Sequence, residues 1–487
     1  MTPSAEPLVC SLLALAESHA ERPAFLTDAG PVSYAQFARS VRGAAARLRR
    51  EGQRRGDRVA LCAPNGPDLA AAYFAVHAAG GVATPLDPDM PIDAARWIVE
   101  DSDARLALTS RDLGLSVPTQ NLHDFCRPAD GELLDTPDCT PDDPADLLYT
   151  TGTTGRQKGV LLTHHNIAQA AANINAFIGT ESTDVELVPI ALSHSFGLGR
   201  LRVMAQAGHT LALEPGMRNP ARTLKRLLDL KATGMAIVPA GFDLILRMTG
   251  KRLGDARGHL RYVEIGSAPM RMDIKQQLMD LLPDTRICHH YGLTEASRAA
   301  FIDYHRDRNK LASIGRASPN VRIAVQDSDG HEMPAGHCGE IVVRGGMVMQ
   351  GYWRQPELTR QALRDGWLHT GDWGYRDADG YLYLAGRQSD LVNVAGWKVS
   401  PEEVERALAE HPAILDTACV GVPDPQGITG ECIKAYIVTR TAVDETKLVQ
   451  WLRTHLEEFK IPRVWQRVDR IPRTSSGKTQ RHLMEDS

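Results

Sequence analysis

The sequence has no excess of basic residues, no closely paired cysteines and no uninterrupted apolar run typical of a membrane span. Its net charge of −5 gives no reason to expect binding to nucleic acid or to an anionic membrane. The eight cysteines are scattered without a C-x-x-C pair, which is typical of reduced thiols rather than of a disulfide framework or a zinc site. We therefore expect a cytoplasmic protein with no nucleic-acid partner and no membrane span.

Two apolar segments need separate explanations. Residues 7–20 hold leucines at helical spacing and no basic residue precedes them, which favours an amphipathic helix over a signal peptide. Residues 68–86 are rich in alanine and glycine and contain His77. That composition predicts a buried helix that ends at Gly80–Gly81 and leads into a strand, rather than a membrane span.

The order of predicted elements indicates a multidomain α/β protein. The 487 residues are enough for more than one domain. Strand-like runs alternate with helical patterns for most of the chain, which is typical of layered, largely parallel sheets. From about residue 320, short strands separated by Gly, Pro and Asp predict an antiparallel β subdomain. After Arg387 the patterns predict a compact α+β tail.

Two helical patterns lie in this tail, with a strand between them. Residues 400–411 begin with Ser, Pro and two acids, which is typical of a helix start with the serine as N-cap. Residues 434–440 predict a strand and residues 445–459 a second helix.

The segment LLYTTGTTGRQKGVLLTHHN (residues 147–166) is rich in hydroxyl groups and glycine and carries Lys158. Small residues of this kind let backbone N–H groups approach phosphate oxygens closely. The segment fails the Walker pattern, because Gln157 stands at the second glycine position and Gly159 follows the lysine. It therefore indicates a nucleotide-binding loop of another class, or none.

Six further motifs follow in a fixed order: SHSFG (193–197), GSAP (266–269), HHYGLTEAS (289–297), GDWGYRDADGYLYLAGR (371–387), NVAGWKVSPEEVE (393–405) and IPRTSSGK (471–478). Each alone is compatible with an ordinary turn, hairpin or surface loop. Together with the hydroxyl-rich segment they resemble the adenylate-forming superfamily, which contains acyl-CoA synthetases, adenylation domains of peptide synthetases and firefly luciferase. The resemblance covers almost the whole chain and is most like a free-standing acyl-CoA synthetase.

The resemblance implies a large N-terminal AMP-binding domain and a small mobile C-terminal domain. The N-terminal domain, residues 1–387, would consist of layered α/β sheets and a β subdomain at about 320–387. The C-terminal domain, residues 388–487, would carry the catalytic lysine and turn about Ser389. Members of the superfamily usually carry Asp or Lys at that position.

The implied activity is ATP- and Mg²⁺-dependent conversion of a carboxylic acid to an acyl-adenylate, followed by transfer to a phosphopantetheine thiol. Bringing two anions together requires cations and dipoles where charge accumulates. The resemblance assigns ATP's outer phosphates to Thr150, Thr151, Gly152, Thr153, Thr154 and Lys158. It assigns the rest of the nucleotide to Gly266, Ser267, Ala268, Pro269, Tyr291, Gly292, Thr294, Asp372 and Arg387. In this group the backbone of 266–269 and the Tyr291 ring would contact adenine, and Asp372 with Arg387 would contact the ribose.

Three catalytic roles are implied as well. Glu295 and Thr150 would hold Mg²⁺, Lys478 would bridge the attacking carboxylate and the α-phosphate, and His194 would gate the acyl pocket. A mobile surface position is the alternative for Lys158, and a position in the core is the alternative for His194. The loop Gly396, Trp397 and Lys398 would line the tunnel for the thiol.

The identity of the acid is only partly constrained. No acid follows His194 where amino-acid-activating members carry an aspartate, and a buried ammonium without a partner is unfavourable. We therefore expect a fatty or other organic acid without an α-amine. Arg200 or Arg202 could read a second carboxylate, and exposed positions on a helix are the alternative.

The acceptor is expected to be coenzyme A. A separate carrier protein with the same phosphopantetheine thiol is an alternative, since the sequence contains no fused carrier domain. A non-catalytic sensor of acyl ligands or nucleotides is an alternative of another class. The presence of Glu295, Asp372, Arg387 and Lys478 argues against a sensor, because a protein that only binds has no evident need for the last of these, the distant lysine.

Overall fold

The structure is a computed structural model that describes residues 6–127, 133–151, 157–217, 219–387, 390–394, 397–427, 429–440, 443–473 and 479–484. Contacts between Cα atoms divide the chain into two units. One unit is Met1–Ile323 with Val343–Leu368, and the other is Ala324–Val342 with His369–Ser487. The boundary expected at residues 387–388 stays a prediction.

In chain order the α-helices are α1 (Leu8–Ser18), α2 (Tyr34–Arg50), α3 (Pro67–Ala78), α4 (Ile92–Asp101), α5 (Leu122–Cys126), α6 (His164–Ile178), α7 (Ser195–Ala207), α8 (Pro220–Asp229), α9 (Pro239–Thr249), α10 (Met272–Leu281), α11 (Pro356–Ala362), α12 (Pro401–Ala409) and α13 (Glu445–Arg453).

The strands are β1 (Pro23–Thr27), β2 (Gly30–Ser33), β3 (Arg58–Cys62), β4 (Val82–Pro85), β5 (Ala104–Thr109), β6 (Thr119–Asn121), β7 (Pro144–Thr151), β8 (Gln157–Thr163), β9 (Val185–Val188), β10 (Thr210–Leu213), β11 (Gly234–Ile237), β12 (Tyr262–Ile265), β13 (Arg286–Tyr291), β14 (Ala300–Asp303), β15 (Arg316–Ala317), β16 (Arg322–Gln326), β17 (Gly339–Arg344), β18 (Gly351–Tyr352), β19 (Leu363–Arg364), β20 (Trp367–Arg376), β21 (Leu382–Arg387), β22 (Val392–Val394), β23 (Trp397–Val399), β24 (Ile414–Pro423), β25 (Glu431–Thr439) and β26 (Val464–Arg467).

Two large sheets form the first unit. The nine-stranded sheet has the order β15-β14-β13-β12-β11-β9-β10-β1-β2, and its strands from β13 to β1 are parallel. The seven-stranded sheet has the order β18-β8-β7-β4-β3-β5-β6, with β7 to β6 parallel and β8 and β18 antiparallel. The predicted layered α/β fold with largely parallel sheets is therefore confirmed.

Both apolar segments form the predicted elements. The N-terminal segment forms α1, which buries Leu8, Leu12 and Leu13 on one face. The alanine-rich segment forms α3, which is buried around nearly its whole circumference, and then β4. Among the described helices, none has both the length and the apolar character that a membrane span requires.

The second unit contains a small α+β core. Strand β24 pairs with β25 in antiparallel fashion, β26 adds to β25 in parallel, and β22 pairs with β23 as a hairpin. Val404, Leu408, Ile433 and Leu452 are buried in one apolar cluster between helices and strands of this core.

Helix α13 is shorter than the pattern predicts. It ends at Arg453, and residues 458–460 form a separate 3₁₀ turn. The Thr454 hydroxyl donates to the backbone oxygen of Trp451 at 2.7 Å. Because this bond competes with helical hydrogen bonding, the helix ends although its apolar spacing continues.

A five-stranded sheet corresponds to the predicted antiparallel β region. Its order is β16-β17-β20-β19, with β21 also paired to β20. The pairs β19–β20 and β20–β21 are antiparallel. The turn between β20 and β21 contains Asp377, Ala378, Asp379 and Gly380, as expected from the D-A-D-G motif.

Candidate functional site

The hydroxyl-rich segment forms the hairpin β7–β8. Thr150 and Lys158 lie directly opposite each other in this antiparallel pair. Their side chains therefore project from the same face of the hairpin. Thr151 lies at the end of β7. The other phosphate-loop predictions, Gly152, Thr153 and Thr154, fall outside the described residues.

Glu295 lies between β13 and β14 and is fixed through its backbone. Its carbonyl oxygen accepts from the N–H of Met349 at 2.8 Å, and the next residue, Ala296, bridges to Val348. Its carboxylate Oε1 accepts from the hydroxyl of Tyr352 at 2.8 Å. The ammonium of Lys158 lies 5.6 Å from the centre of the same tyrosine ring. The structure thus brings Glu295 and Lys158 together around a residue that the motifs did not identify.

The predicted adenine loop follows β12 directly. Ser267 has a φ of 74°, a conformation that is unfavourable for a residue with a side chain and often marks a functional site. A Cβ at Gly266 would lie only 2.0 Å from the His290 ring, so glycine is needed there. His289 Nε2 lies 3.1 Å from the carbonyl oxygen of Ala268, so this histidine contacts the backbone of the loop. Pro269 ends the loop, and the chain then continues toward α10.

The remaining residues of this nucleotide motif are close in sequence and in the fold. Tyr291 ends β13 and is 9% exposed, whereas Gly292 is exposed and Thr294 is half-buried. A Cβ at Gly292 would lie 2.4 Å from the backbone nitrogen of Arg298. The backbone at Arg298 therefore comes too close to leave room for a side chain at position 292.

His194 lies at the N-terminus of α7 with its side chain 47% exposed. Its Nε2 lies 3.3 Å from the Oδ2 of Asp87, which follows β4. The exposure contradicts the alternative of a core histidine. Sequence reasoning missed Asp87, because no motif marks it and its contact arises only from packing of the two sheets' loops.

The positions of Arg200 and Arg202 contradict both interpretations of the sequence, because both side chains are buried and paired with acids of the protein. Arg200 is fully buried, with Nε 2.6 Å from Glu186 Oε1 and Nη1 3.2 Å from Glu264 Oε2. Arg202 is 1% exposed, pairs with Asp146 and donates from Nε to the Tyr73 hydroxyl at 3.0 Å. Helix α7 is buried on nearly all sides, so charged residues on it need buried partners.

The acidic partners of the two arginines could have been recognised in the sequence, because each is a single acid within an apolar, strand-like run. Although burial opposes its charge, Glu186 and Glu264 raise the pKa of Arg200 above its usual value. Although burial opposes ionisation of Glu264, Arg298, His290 and Arg200 lower the pKa of its carboxyl. The buried groups therefore hold opposite charges.

Arg298 connects this network to the site. Its Nε lies 3.0 Å from Glu264 Oε1, and its Nη atoms donate to the backbone oxygens of Ser195 and Phe196 at 2.9 and 2.8 Å. These two carbonyls belong to the first turn of α7, directly after His194. Arg298 thereby fixes the start of that helix.

The predicted ribose residues lie in the second unit. Asp372 in β20 and Arg387 in β21 are direct partners in the antiparallel pair, and the Asp372 side chain is buried. Strand pairing thus brings together two residues that the motif separates by a hairpin.

The predicted thiol loop lies at the hairpin β22–β23. Trp397 and Lys398 are in β23, opposite Val394 and Asn393. Gly396, the predicted hinge residue Ser389 and the predicted catalytic residue Lys478 fall outside the described residues. Arg473 and Thr479, which flank the segment with Lys478, form an antiparallel bridge.

The chain matches two protein families along most of its length. The AMP-binding enzyme family matches residues 13–353, and the AMP-binding enzyme C-terminal domain matches residues 403–478. A feruloyl-CoA synthase of an Amycolatopsis species is 33% identical over 92% of this chain and 92% of its own length. The fatty acid–[acyl-carrier-protein] ligase ScoC of Streptomyces coeruleorubidus is 30% identical over 99% of this chain and 97% of its own length.

Two solved structures are similar over the full fold. The o-succinylbenzoate CoA synthetase of Bacillus subtilis, in complex with its acyl-adenylate intermediate, has a TM-score of 0.90 and 26% identity over 99% of this chain and 98% of that chain. ATP-bound MatB of Rhodopseudomonas palustris has a TM-score of 0.89 and 29% identity over the same shares.

Proposed function

The chain belongs to the AMP-binding enzyme family, and on this premise we propose that it joins an organic acid without an α-amine to coenzyme A. It is an AMP-forming acid–CoA ligase: ATP converts the carboxylate to an acyl-adenylate, and the thiol of coenzyme A then takes the acyl group. The observation that carries the assignment of its site is the grouping of Thr150, Lys158 and Glu295 at the β7–β8 hairpin.

In the first half-reaction a carboxylate oxygen attacks the α-phosphorus, and pyrophosphate leaves. The Thr150 hydroxyl and the Lys158 ammonium, which lie opposite each other in the hairpin, would bind the outer phosphates, where negative charge accumulates. Lys478 would bind both the attacking carboxylate and the α-phosphate. Asp372 would accept hydrogen bonds from the ribose hydroxyls, with Arg387 beside it.

Glu295 and Thr150 fit Mg²⁺ by the chemistry of their donors. Both offer oxygen ligands, and no basic side chain of the described residues forms an ion pair with Glu295. When bound, Mg²⁺ would neutralise charge on the phosphates of ATP. The role of the protein is to hold the carboxylate in place, which its backbone and Tyr352 contacts do.

In the second half-reaction the thiol sulfur attacks the carbonyl carbon of the adenylate, and AMP leaves. His194 is exposed and lies beside Asp87 at the start of α7. From there it would gate the acyl group, and the loop Gly396–Lys398 would line the approach of the thiol.

The acid is proposed to lack an α-ammonium group. Asp87 lies beside His194. Because the Asp87 carboxylate contacts this imidazole, it already has a partner other than a substrate amine. Arg200 and Arg202 are committed to buried acids, so neither supports a second substrate carboxylate. Feruloyl-CoA synthase and o-succinylbenzoate CoA synthetase are named for acids of the amine-free kind.

A carrier protein is the second candidate acceptor. The similarity to a fatty acid–[acyl-carrier-protein] ligase over nearly the full chain favours it. We also propose that the reaction takes place in the cytoplasm, because eight scattered cysteines without a C-x-x-C pair are typical of reduced thiols.

The test is ATP–pyrophosphate exchange with a panel of aliphatic, aromatic and amino acids, followed by thioester assays with coenzyme A and with phosphopantetheinylated carrier proteins. We expect exchange with amine-free acids and thioester formation with coenzyme A. Lys478→Ala serves as the control and should lower exchange by about 10²–10³-fold, as removal of one transition-state donor does. Exchange driven mainly by an α-amino acid, or unchanged exchange in Lys478→Ala, would contradict the proposal.

A further inference from the structure

Tyr352 makes two contacts at the site that none of the predicted roles includes. Its hydroxyl donates to Glu295 Oε1 at 2.8 Å. Its ring lies beneath the Lys158 ammonium, 5.6 Å from ring centre to nitrogen. One aromatic side chain therefore touches both the carboxylate assigned to the metal and the cation assigned to the phosphates.

Strand pairing fixes the position of Tyr352. It lies in β18, directly opposite Val160 of β8, two residues along that strand from Lys158. Side chains two residues apart in a strand share a face, so the ring and the ammonium are placed side by side by the register. The backbone N–H of Tyr352 also donates to the Thr359 hydroxyl at 2.9 Å.

The same chain segment fixes Glu295. The N–H of Met349, three residues before Tyr352, donates to the Glu295 carbonyl oxygen at 2.8 Å. The contact between hydroxyl and carboxylate is therefore formed by two anchored backbones. This distinguishes it from a chance contact between long surface side chains, which solvent and side-chain entropy would weaken.

The chemistry of the contact favours one arrangement of the carboxylate. A phenol can donate only one hydrogen bond, and here it goes to Oε1. The bond leaves the net charge of the carboxylate unchanged and restricts its rotation. Oε2 thereby has a fixed direction from which to ligate a hard cation.

We propose that Tyr352 is a positioning residue for the metal–ATP complex. Its hydroxyl orients Glu295 for Mg²⁺, and its ring holds the Lys158 ammonium beside the phosphates through a cation–π contact. The inference rests on the proposed role of Glu295 as a metal ligand.

The test measures metal binding at equilibrium, without the acid substrate. Mn²⁺ is titrated into the enzyme with α,β-methylene ATP, whose α–β bridge cannot be cleaved to release pyrophosphate, and free Mn²⁺ is followed by electron paramagnetic resonance relative to the same nucleotide without enzyme. Tyr352→Phe removes only the hydroxyl and should weaken Mn²⁺ binding about tenfold, as loss of a hydrogen bond to a metal ligand typically does. Tyr352→Leu also removes the ring and should weaken nucleotide binding further.

Tyr149→Phe is the matched control. Its hydroxyl donates to Asp101 Oδ2 at 2.6 Å, so the variant loses a tyrosine–carboxylate bond of the same kind in the same seven-stranded sheet. We expect its Mn²⁺ titration to equal that of the unmodified enzyme. Each titration is made below the unfolding temperature of the variant, so that a loss of stability alone has no effect on it.

The outcomes separate this inference from the proposed function. If Tyr352→Phe binds Mn²⁺ as the unmodified enzyme does, or if Tyr149→Phe weakens it equally, the positioning role is wrong while the ligase function stands. If the unmodified enzyme binds no Mn²⁺ with the nucleotide, the metal role of Glu295 fails, and the inference fails with it.

Discussion

At the residue scale, two buried histidines contribute to the acid sensitivity of the first unit. His164 begins α6 and is fully buried, and neither ring nitrogen has a hydrogen-bond partner among the described residues. Burial lowers its pKa to about 3. Burial likewise lowers the pKa of His289 to about 3.

The sign of the effect follows from these lowered values. In the unfolded chain a histidine takes up a proton near pH 6.5. Between that pH and about 3 the unfolded state binds more protons than the folded state. Stability is therefore fully present above about pH 6.5 and is lost as the pH falls, by up to about 1.4 kcal/mol per pH unit for each group.

We predict that His164→Phe makes the protein more stable at neutral pH and less sensitive to acid. The variant removes a group that must stay neutral and two polar atoms without partners, whose burial costs about 1–3 kcal/mol. Urea unfolding at pH 7.5, 6.5 and 5.5 measures both effects. His164→Gln separates them, because it cannot titrate yet keeps unpaired polar atoms, and should flatten the pH dependence without the gain at pH 7.5. The prediction would be wrong if the free energy of unfolding of His164→Phe fell with decreasing pH as steeply as that of the unmodified protein.

Motifs identified only part of the site at this scale. Thr150, Lys158 and Glu295 belong to recognisable motifs, so their grouping was predictable from the sequence. Asp87 and Tyr352 carry no such signal, because each meets its partner only through loop packing or the register of β18 on β8. Contacts of this kind depend on tertiary structure that a linear pattern does not contain.

At the element scale, buried ion pairs connect α7 to the nine-stranded sheet. Arg200 on the helix contacts Glu186 on β9 and Glu264 on β12. Glu186 also lies 3.0 Å from His209 Nε2 and accepts from the Tyr262 hydroxyl at 3.1 Å. Removing one member of such a network leaves opposite charges buried without compensation.

We predict that Arg200→Leu destabilises the protein by about 3–5 kcal/mol, the usual cost of breaking a buried pair from one side. Arg247→Leu is the control, because Arg247 pairs with Asp243 at 2.8 Å near the surface of α9. Its loss should cost less than about 1 kcal/mol. Urea unfolding of both variants measures the difference, and similar losses would show that the network does not hold α7 on the sheet.

Whether a segment forms a helix or a strand was easier to predict from the sequence than where the element ends or what packs around it. The alternation of strands and helices, and the serine cap of α12, follow from local patterns and agree with the structure. The end of α13 depends on a side-chain hydrogen bond, and the burial of both faces of α7 depends on its neighbours. Spacing of apolar residues alone indicates neither.

At the scale of the whole molecule, one site must support two reactions. In the proposed mechanism adenylation would place Lys478 at the α-phosphate, whereas thioester formation requires a thiol to reach the carbonyl of the adenylate. A single arrangement cannot easily offer both, because the lysine segment would occupy the approach of the thiol. We therefore expect the C-terminal domain to turn about Ser389 between the half-reactions, which needs only a few residues able to change φ and ψ.

We predict that two variants separate the half-reactions. Ser389→Pro fixes φ near −65° and should trap the domain in whichever state tolerates that angle, so one half-reaction should fall much more than the other. Gly396→Trp should spare formation of the acyl-adenylate and block formation of the thioester, because the indole would fill the thiol tunnel.

Acyl-adenylate formation is measured in a single turnover without coenzyme A, and thioester formation is measured from acyl-adenylate supplied directly. Ser389→Ala keeps φ free and should retain both half-reactions. Equal losses of the two half-reactions in both Ser389→Pro and Gly396→Trp would mean that the domain does not alternate in this way.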